Sequence, residues 1–137
     1  MRPASHSFGR TAAAFWKTYL ATLPPDHPHR RARVSAFAFG DSAALARELA
    51  VLVRAGQKRA TASLPVEFTA AGDPLPTVGD VDIVTLADGE PVCIIETTEV
   101  RLIAFGEVDA AFAADEGEGD GSLTWWRSAF RLLYPRP

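Results

Sequence analysis

Apolar side chains recur four apart near the start of the chain: Phe15, Tyr19 and Leu23, with Trp16 and Leu20 beside them. That spacing predicts a helix over 11–23 with one broad apolar stripe, stopped by Pro24-Pro25. Residues 34–39 alternate and predict a short extended entry. Asp41 or Ser42 then caps a helix whose Leu45, Leu49 and Leu52 share one face and which stops at Gly56. Beyond Gly56, Thr61 and Ser63 alternate with Ala60, Ala62 and Leu64, which predicts a strand with both hydroxyls on one face. A turn at 72–74 leads to an alternating strand of Val81, Ile83 and Thr85 against Asp82, Val84 and Leu86. An Asp88-Gly89 hairpin turn opens a long β stretch over 91–105. Glu96 and Glu99 fall within it, an odd number apart, so they take opposite faces and either one can point inward. Val108 and Phe112 predict a short helix. Ser122 caps a last one, with Leu123, Trp126, Phe130 and Leu133 on one side, and Pro135 closes the chain. The first ten residues read as loose. Helices and strands mixed in this order predict an α+β domain.

Bulk properties narrow the class. A chain of 137 residues with 47% apolar content forms one domain with a core that needs neither disulfide nor metal. Cys93, the single cysteine, sits in the apolar run 92–95 and reads as a buried small hydrophobe. No apolar run is long enough to cross a bilayer and no signal-type segment opens the chain, so a cytoplasmic protein without cofactor or bound metal is expected.

Charge is divided unevenly. Residues 1–60 hold ten basic and three acidic side chains, residues 61–137 four and fourteen. A uniformly basic nucleic-acid surface is excluded. A basic patch at Arg30, Arg31 and Arg33 suits phosphate, and attraction between the two halves accounts for the asymmetry equally well. His27 and His29 share that loop, yet without a nearby carboxylate or cysteine they make a poor metal site. The glycine-rich loop 115–121 lacks the terminal glutamate of a calcium loop. Its four carboxylates would repel phosphate.

Twelve of the fourteen cationic side chains are arginines, and the two lysines are Lys17 and Lys58. Lys58 stands just before Thr61. Lysine can give up its proton when desolvated, whereas arginine cannot, so the pair is raw material for an amine-activated hydroxyl nucleophile. Spacing alone favours the plainer reading, a solvated turn lysine beside an ordinary strand threonine.

The stretch Gly56-Gln57-Lys58-Arg59-Ala60-Thr61-Ala62-Ser63 resembles the Gly-x-Lys-x-x-Thr-x-Arg motif of ASCH domains, which are related to PUA domains of RNA-modifying proteins. The likeness continues through Phe39-Gly40-Asp41-Ser42, Val78-Gly79-Asp80, Glu96-Thr97-Thr98-Glu99-Val100, Glu116-Gly117-Glu118-Gly119-Asp120 and Trp126-Arg127. It implies a small PUA-like mixed β-barrel flanked by helices over 37–137, preceded by an N-terminal helical extension, 1–36. It further implies a cleft for RNA or a modified nucleoside. Some ASCH proteins remove acetyl from N4-acetylcytidine. By that resemblance Lys58 is the general base, Thr61 the nucleophile and Glu116 the carboxylate that completes the site. Ser63, Glu67, Glu118, Asp120, Trp125 and Arg127 would contact the substrate. An RNA-binding module without chemistry, or a ribonuclease, would use the same cleft. Three departures stand out: Ser63 replaces the motif arginine, Phe130 stands where histidine is frequent, and the closing strand after the last helix is expected to be missing.

Overall fold

The computed structural model describes residues 9–133, with side chains through 131. Residues 1–8, the side chain of Leu133 and Pro135 lie outside the described residues. The chain runs α1 (Arg10–Ala21), a 3-10 turn (Pro28–Arg31), β1 (Val34–Phe37), α2 (Ala43–Arg54) and α3 (Pro65–Ala71). It continues through β2 (Val81–Thr85), β3 (Pro91–Glu96), a second 3-10 turn (Phe105–Glu107), α4 (Ala110–Glu116) and α5 (Leu123–Leu133).

The three strands form one open sheet in the order β1-β2-β3, with β1 parallel to β2 and β2 antiparallel to β3. The sheet does not close on itself among the described residues, so the expected barrel is replaced by a layered α+β arrangement. Every residue of β2 is buried, because helices cover both faces. On one side Val84 packs with Phe37, Phe39, Leu49 and Ala50. The opposite face carries Val81 and Ile83, also buried, and α1 reaches both β2 and β3. Ser42 caps α2 as expected, its Oγ accepting from Leu45 N–H at 3.1 Å.

The loop 26–33 spends its polar groups inside the molecule. Arg30 donates to the carbonyls of Leu20, Leu23 and Pro24 at 2.6, 2.7 and 2.9 Å, tying the loop to the end of α1 and to the turn that follows it. Arg33 pairs with Asp80 and donates to the Leu75 carbonyl. His29 bridges the Tyr19 hydroxyl, at 2.8 Å, and the Glu96 carboxylate. Arg31 alone of the loop's three arginines has no such partner among the described residues, so the phosphate-binding patch expected here is largely consumed by internal bonds.

Four further expectations are corrected. The strand predicted after Gly56 does not form, because Arg59 and Ala60 N–H both donate to the Asp115 carbonyl, at 2.6 and 3.0 Å, rather than to a neighbouring strand. The stretch read as leading only to a turn contains α3, started by Pro65 and steadied by Glu67, whose carboxylate accepts from Leu64 N–H at 3.2 Å. The long β stretch stops at Glu96; residues 97–104 run on without a turn, bend or strand partner. Glu96 and Glu99 are both exposed, so neither points inward.

A second core lies between α4 and α5. Trp126 stacks on Phe105 and Phe130, with centroids 5.2 and 4.8 Å away, and meets Phe112 edge-on. Phe130 thus fills a packing position.

Candidate functional site

The second core brings the acidic loop against the stretch after α2. Gly56, at φ +82°, ends α2 and turns the chain, and both Gln57 and Lys58 N–H return to the Leu52 carbonyl at 3.0 Å. Residues 57–60 then dock on the end of α4. Gln57 Nε2 donates to the Gly117 carbonyl at 2.9 Å, and Arg59 pairs with Asp115 at 3.0 Å on the surface.

Between them lies a buried charge cluster. The Lys58 side chain is 2% exposed and its Nζ faces Glu116 Oε2 at 2.6 Å and Glu118 Oε2 at 2.9 Å. The Ala60 carbonyl at 2.9 Å and the Glu116 carbonyl at 3.3 Å complete its shell, and the Phe39 ring lies 5.5 Å away. Three N–H donors therefore meet four acceptors. The two carboxylates differ. Glu116 is at the back, 1% exposed, while the Glu118 side chain is 18% exposed at the mouth. Burial pushes the Glu116 carboxyl up to about 7, against the opposing charge of Lys58. Burial also pushes Glu118 upward, but its hydrogen bond with Glu116 and the charge of Lys58 prevail and hold it below the usual carboxylate range. Below about pH 7 the proton is therefore held on the inner carboxyl while Glu118 is ionised.

The remaining predicted residues are scattered around this cluster. The Thr61 hydroxyl is exposed and is not among the partners of Lys58. Glu67 serves α3. Asp120 accepts from Ser122 N–H at 2.9 Å, and its bonds with Ser122 lower its pKa. Trp125 lies flat against Gly119, where a Cβ would fall 2.1 Å from the indole. Arg127 donates to the Gly106 and Val108 carbonyls at 3.2 and 3.3 Å. Four buried polar atoms lack a partner among the described residues: Ser63 Oγ, Glu116 Oε1, Trp126 Nε1 and Arg127 Nε. All four stand on the segments that meet at the second core. Unpaired buried polar groups are uncommon and mark places where solvent or ligand is taken up.

The contributions of Gln57 and Gly117 were missed by spacing arguments. Gly117 has φ +68°, and a Cβ there would sit 2.3 Å from the Gln57 backbone oxygen. Gly117→Ala is therefore expected to destabilise the fold by about 2 kcal/mol. Gly121→Ala, at φ +78° in open space, should carry only the left-handed penalty of about 1 kcal/mol. Urea unfolding of the two variants checks the difference.

The family model match covers residues 35–136 and is described as the ASCH domain. The chain belongs to the ASCH domain family. A solved ASCH domain from Lactobacillus crispatus JV V101 superposes with a TM-score of 0.84 at 35% identity, over 92% of this chain and 79% of that one. A protein from Enterococcus faecalis V583 aligns with a TM-score of 0.71 at 28% identity, over 88% of this chain and 71% of the other. No curated protein matches the chain. Within this ASCH domain the motif positions Lys58, Glu116 and Glu118 converge, and Thr61, Glu67, Asp120 and Arg127 are not among the hydrogen-bond partners of Lys58 Nζ. No helix of the described residues is long and apolar enough to cross a membrane.

Proposed function

We propose that this ASCH domain holds a nucleoside, free or within RNA, at the mouth of the Lys58–Glu116–Glu118 cluster and hydrolyses an acyl amide on its base, N4-acetylcytidine being the expected substrate. The observation that carries this reading is the split between the carboxylates: a buried Glu116 that titrates near 7 behind an ionised Glu118 at the surface. Acid–base catalysis wants a carboxylate that is ionised at neutral pH and reachable by substrate, the part of Glu118, while a proton on Glu116 behind it relieves repulsion between the two. Thr61 is the nucleophile in this reading. As its oxygen bonds to the acetyl carbon its proton passes to Glu118. The C–N4 bond then breaks and the amine leaves with that proton. Water attacks the acyl-threonine by the same route, releasing acetate. Lys58 stays charged and holds both carboxylates in place, a positioning role rather than that of general base.

Incubation of the protein with N4-acetylcytidine, followed by chromatography, tests this. Cytidine should form, and Glu118→Gln should slow its formation by 10² or more. Absence of cytidine at high enzyme concentration, or full activity in both Glu118→Gln and Thr61→Val, would overturn the proposal. One observation favours a second reading, RNA binding without chemistry. A groove of about 280 Å³ along α5 is lined by Thr124, Arg127, Ser128 and Arg131 together with Leu123, a lining suited to phosphate. Salt-sensitive RNA binding that persists in Glu118→Gln and weakens in Arg131→Ala would support it.

A further inference from the structure

Residues 97–104 combine two features that a finished surface normally avoids. Their side chains include Val100, Leu102 and Ile103, which are 46%, 85% and 39% exposed. Their backbone runs on from β3 without a turn or bend, and from residue 98 to 104 no amide donates to another group among the described residues. The segment continues β3, an edge strand of the sheet. Thr97 still turns both its N–H and its carbonyl toward residues 79–80, at 2.9 and 2.8 Å. By strand alternation the N–H and carbonyl groups of Thr98, Val100 and Leu102 then face away from β2, toward open solvent. An unpaired row of this kind is a template for another strand.

The charges on the segment say which strand fits. Glu99 and Arg101 are two residues apart on one face and pair within the chain at 3.3 Å. We propose that this segment pairs antiparallel with the same segment of a second copy, about a two-fold axis at Val100. In that register Val100 exchanges both backbone bonds with its counterpart, and Thr98 does so with Leu102 of the second copy. Glu99 falls opposite Arg101 in the closely spaced, non-hydrogen-bonded position, and the reverse pair repeats it. The four charges form a ring of alternating sign. Val100 meets Val100, and Leu102 gains a neighbour for its exposed surface. The resulting interface is isologous and joins the two sheets through one antiparallel ribbon.

Sedimentation equilibrium over a concentration series tests the pairing. A monomer–dimer equilibrium is expected. Arg101→Glu and Glu99→Arg should each weaken it roughly tenfold or more, since each change places like charges opposite one another twice. The double variant Glu99→Arg with Arg101→Glu should restore it, because the swap recreates the alternating ring. Val100→Pro should abolish dimerisation by removing an outward amide. All three positions are on the surface, and circular dichroism of each variant reports whether the monomer stays folded. A protein that is monomeric throughout the series, a dimer indifferent to the single reversals, or a swap that fails to restore association would overturn the proposal.

Discussion

Replacing Lys58 with methionine is expected to destabilise the protein by about 3–5 kcal/mol at pH 8. The side chain is 2% exposed and its ammonium is the cation shared by Glu116 and Glu118. Methionine keeps most of the buried length and removes only the charge and its donors, so lost packing contributes little. What remains is two carboxylates facing one another in a water-poor site, with two backbone carbonyls deprived of a donor. The penalty should shrink as pH falls, because a proton on Glu116 then replaces the missing cation. Adding Glu116→Gln to the methionine variant should recover part of the loss. The recovery is the coupling energy between positions 58 and 116, and chemical denaturation of the four proteins in a double-mutant cycle measures it. A loss below about 1 kcal/mol, or strict additivity, would mean that Lys58 is a solvated turn residue.

That bland alternative was the one favoured by local spacing, and the reason is instructive. Periodicity reports which faces of α1, α2 and α5 are apolar, so those helices, the Ser42 cap and the hairpin between β2 and β3 were legible. It carries no information about a contact between residues sixty positions apart. Lys58 and Glu118 meet because the Arg59 and Ala60 N–H groups and the Gln57 side-chain amide donate to carbonyls at the end of α4, and the same contacts remove the strand that the Thr61/Ser63 alternation implied. Alternation was misleading again at β2, where helices on both faces bury Asp82 and Thr85 as fully as their apolar neighbours. The basic loop failed for a related reason. Arg30 and Arg33 are placed by carbonyls at and just after the end of α1 and by Asp80, none of which is adjacent in sequence. Only the register of matches to the ASCH pattern singled out Lys58, Glu116 and Glu118 together. That pattern does not report depth: Glu116 is the inner member of the pair and Glu118 the more exposed one.

The burial of Glu116 should show in the pH dependence of stability. A Glu116→Gln protein is expected to gain stability relative to the native chain as pH rises from 5 to 8, by up to about 3 kcal/mol. The sign follows from where the proton is held. In the folded protein Glu116 titrates near 7, against 4.5 as its ordinary value. Between those pH values the native state keeps a proton that the unfolded chain has released, so stability conferred by the protonated carboxyl declines across this window. Glutamine cannot titrate, and its amide resembles the protonated acid, with a donor available for Glu118 and a carbonyl for Lys58. The variant should therefore match the native protein near pH 5 and exceed it near pH 8. Glu118, whose pKa is lowered, acts at the acid end, where stability falls as it becomes protonated, and it does so in both proteins. Thermal or urea unfolding at a series of pH values isolates the Glu116 contribution as the difference between the two curves. A difference that stays flat from pH 5 to 8 would show that the inner carboxyl ionises normally, and with it the proton-holding role assigned to this cluster would fall.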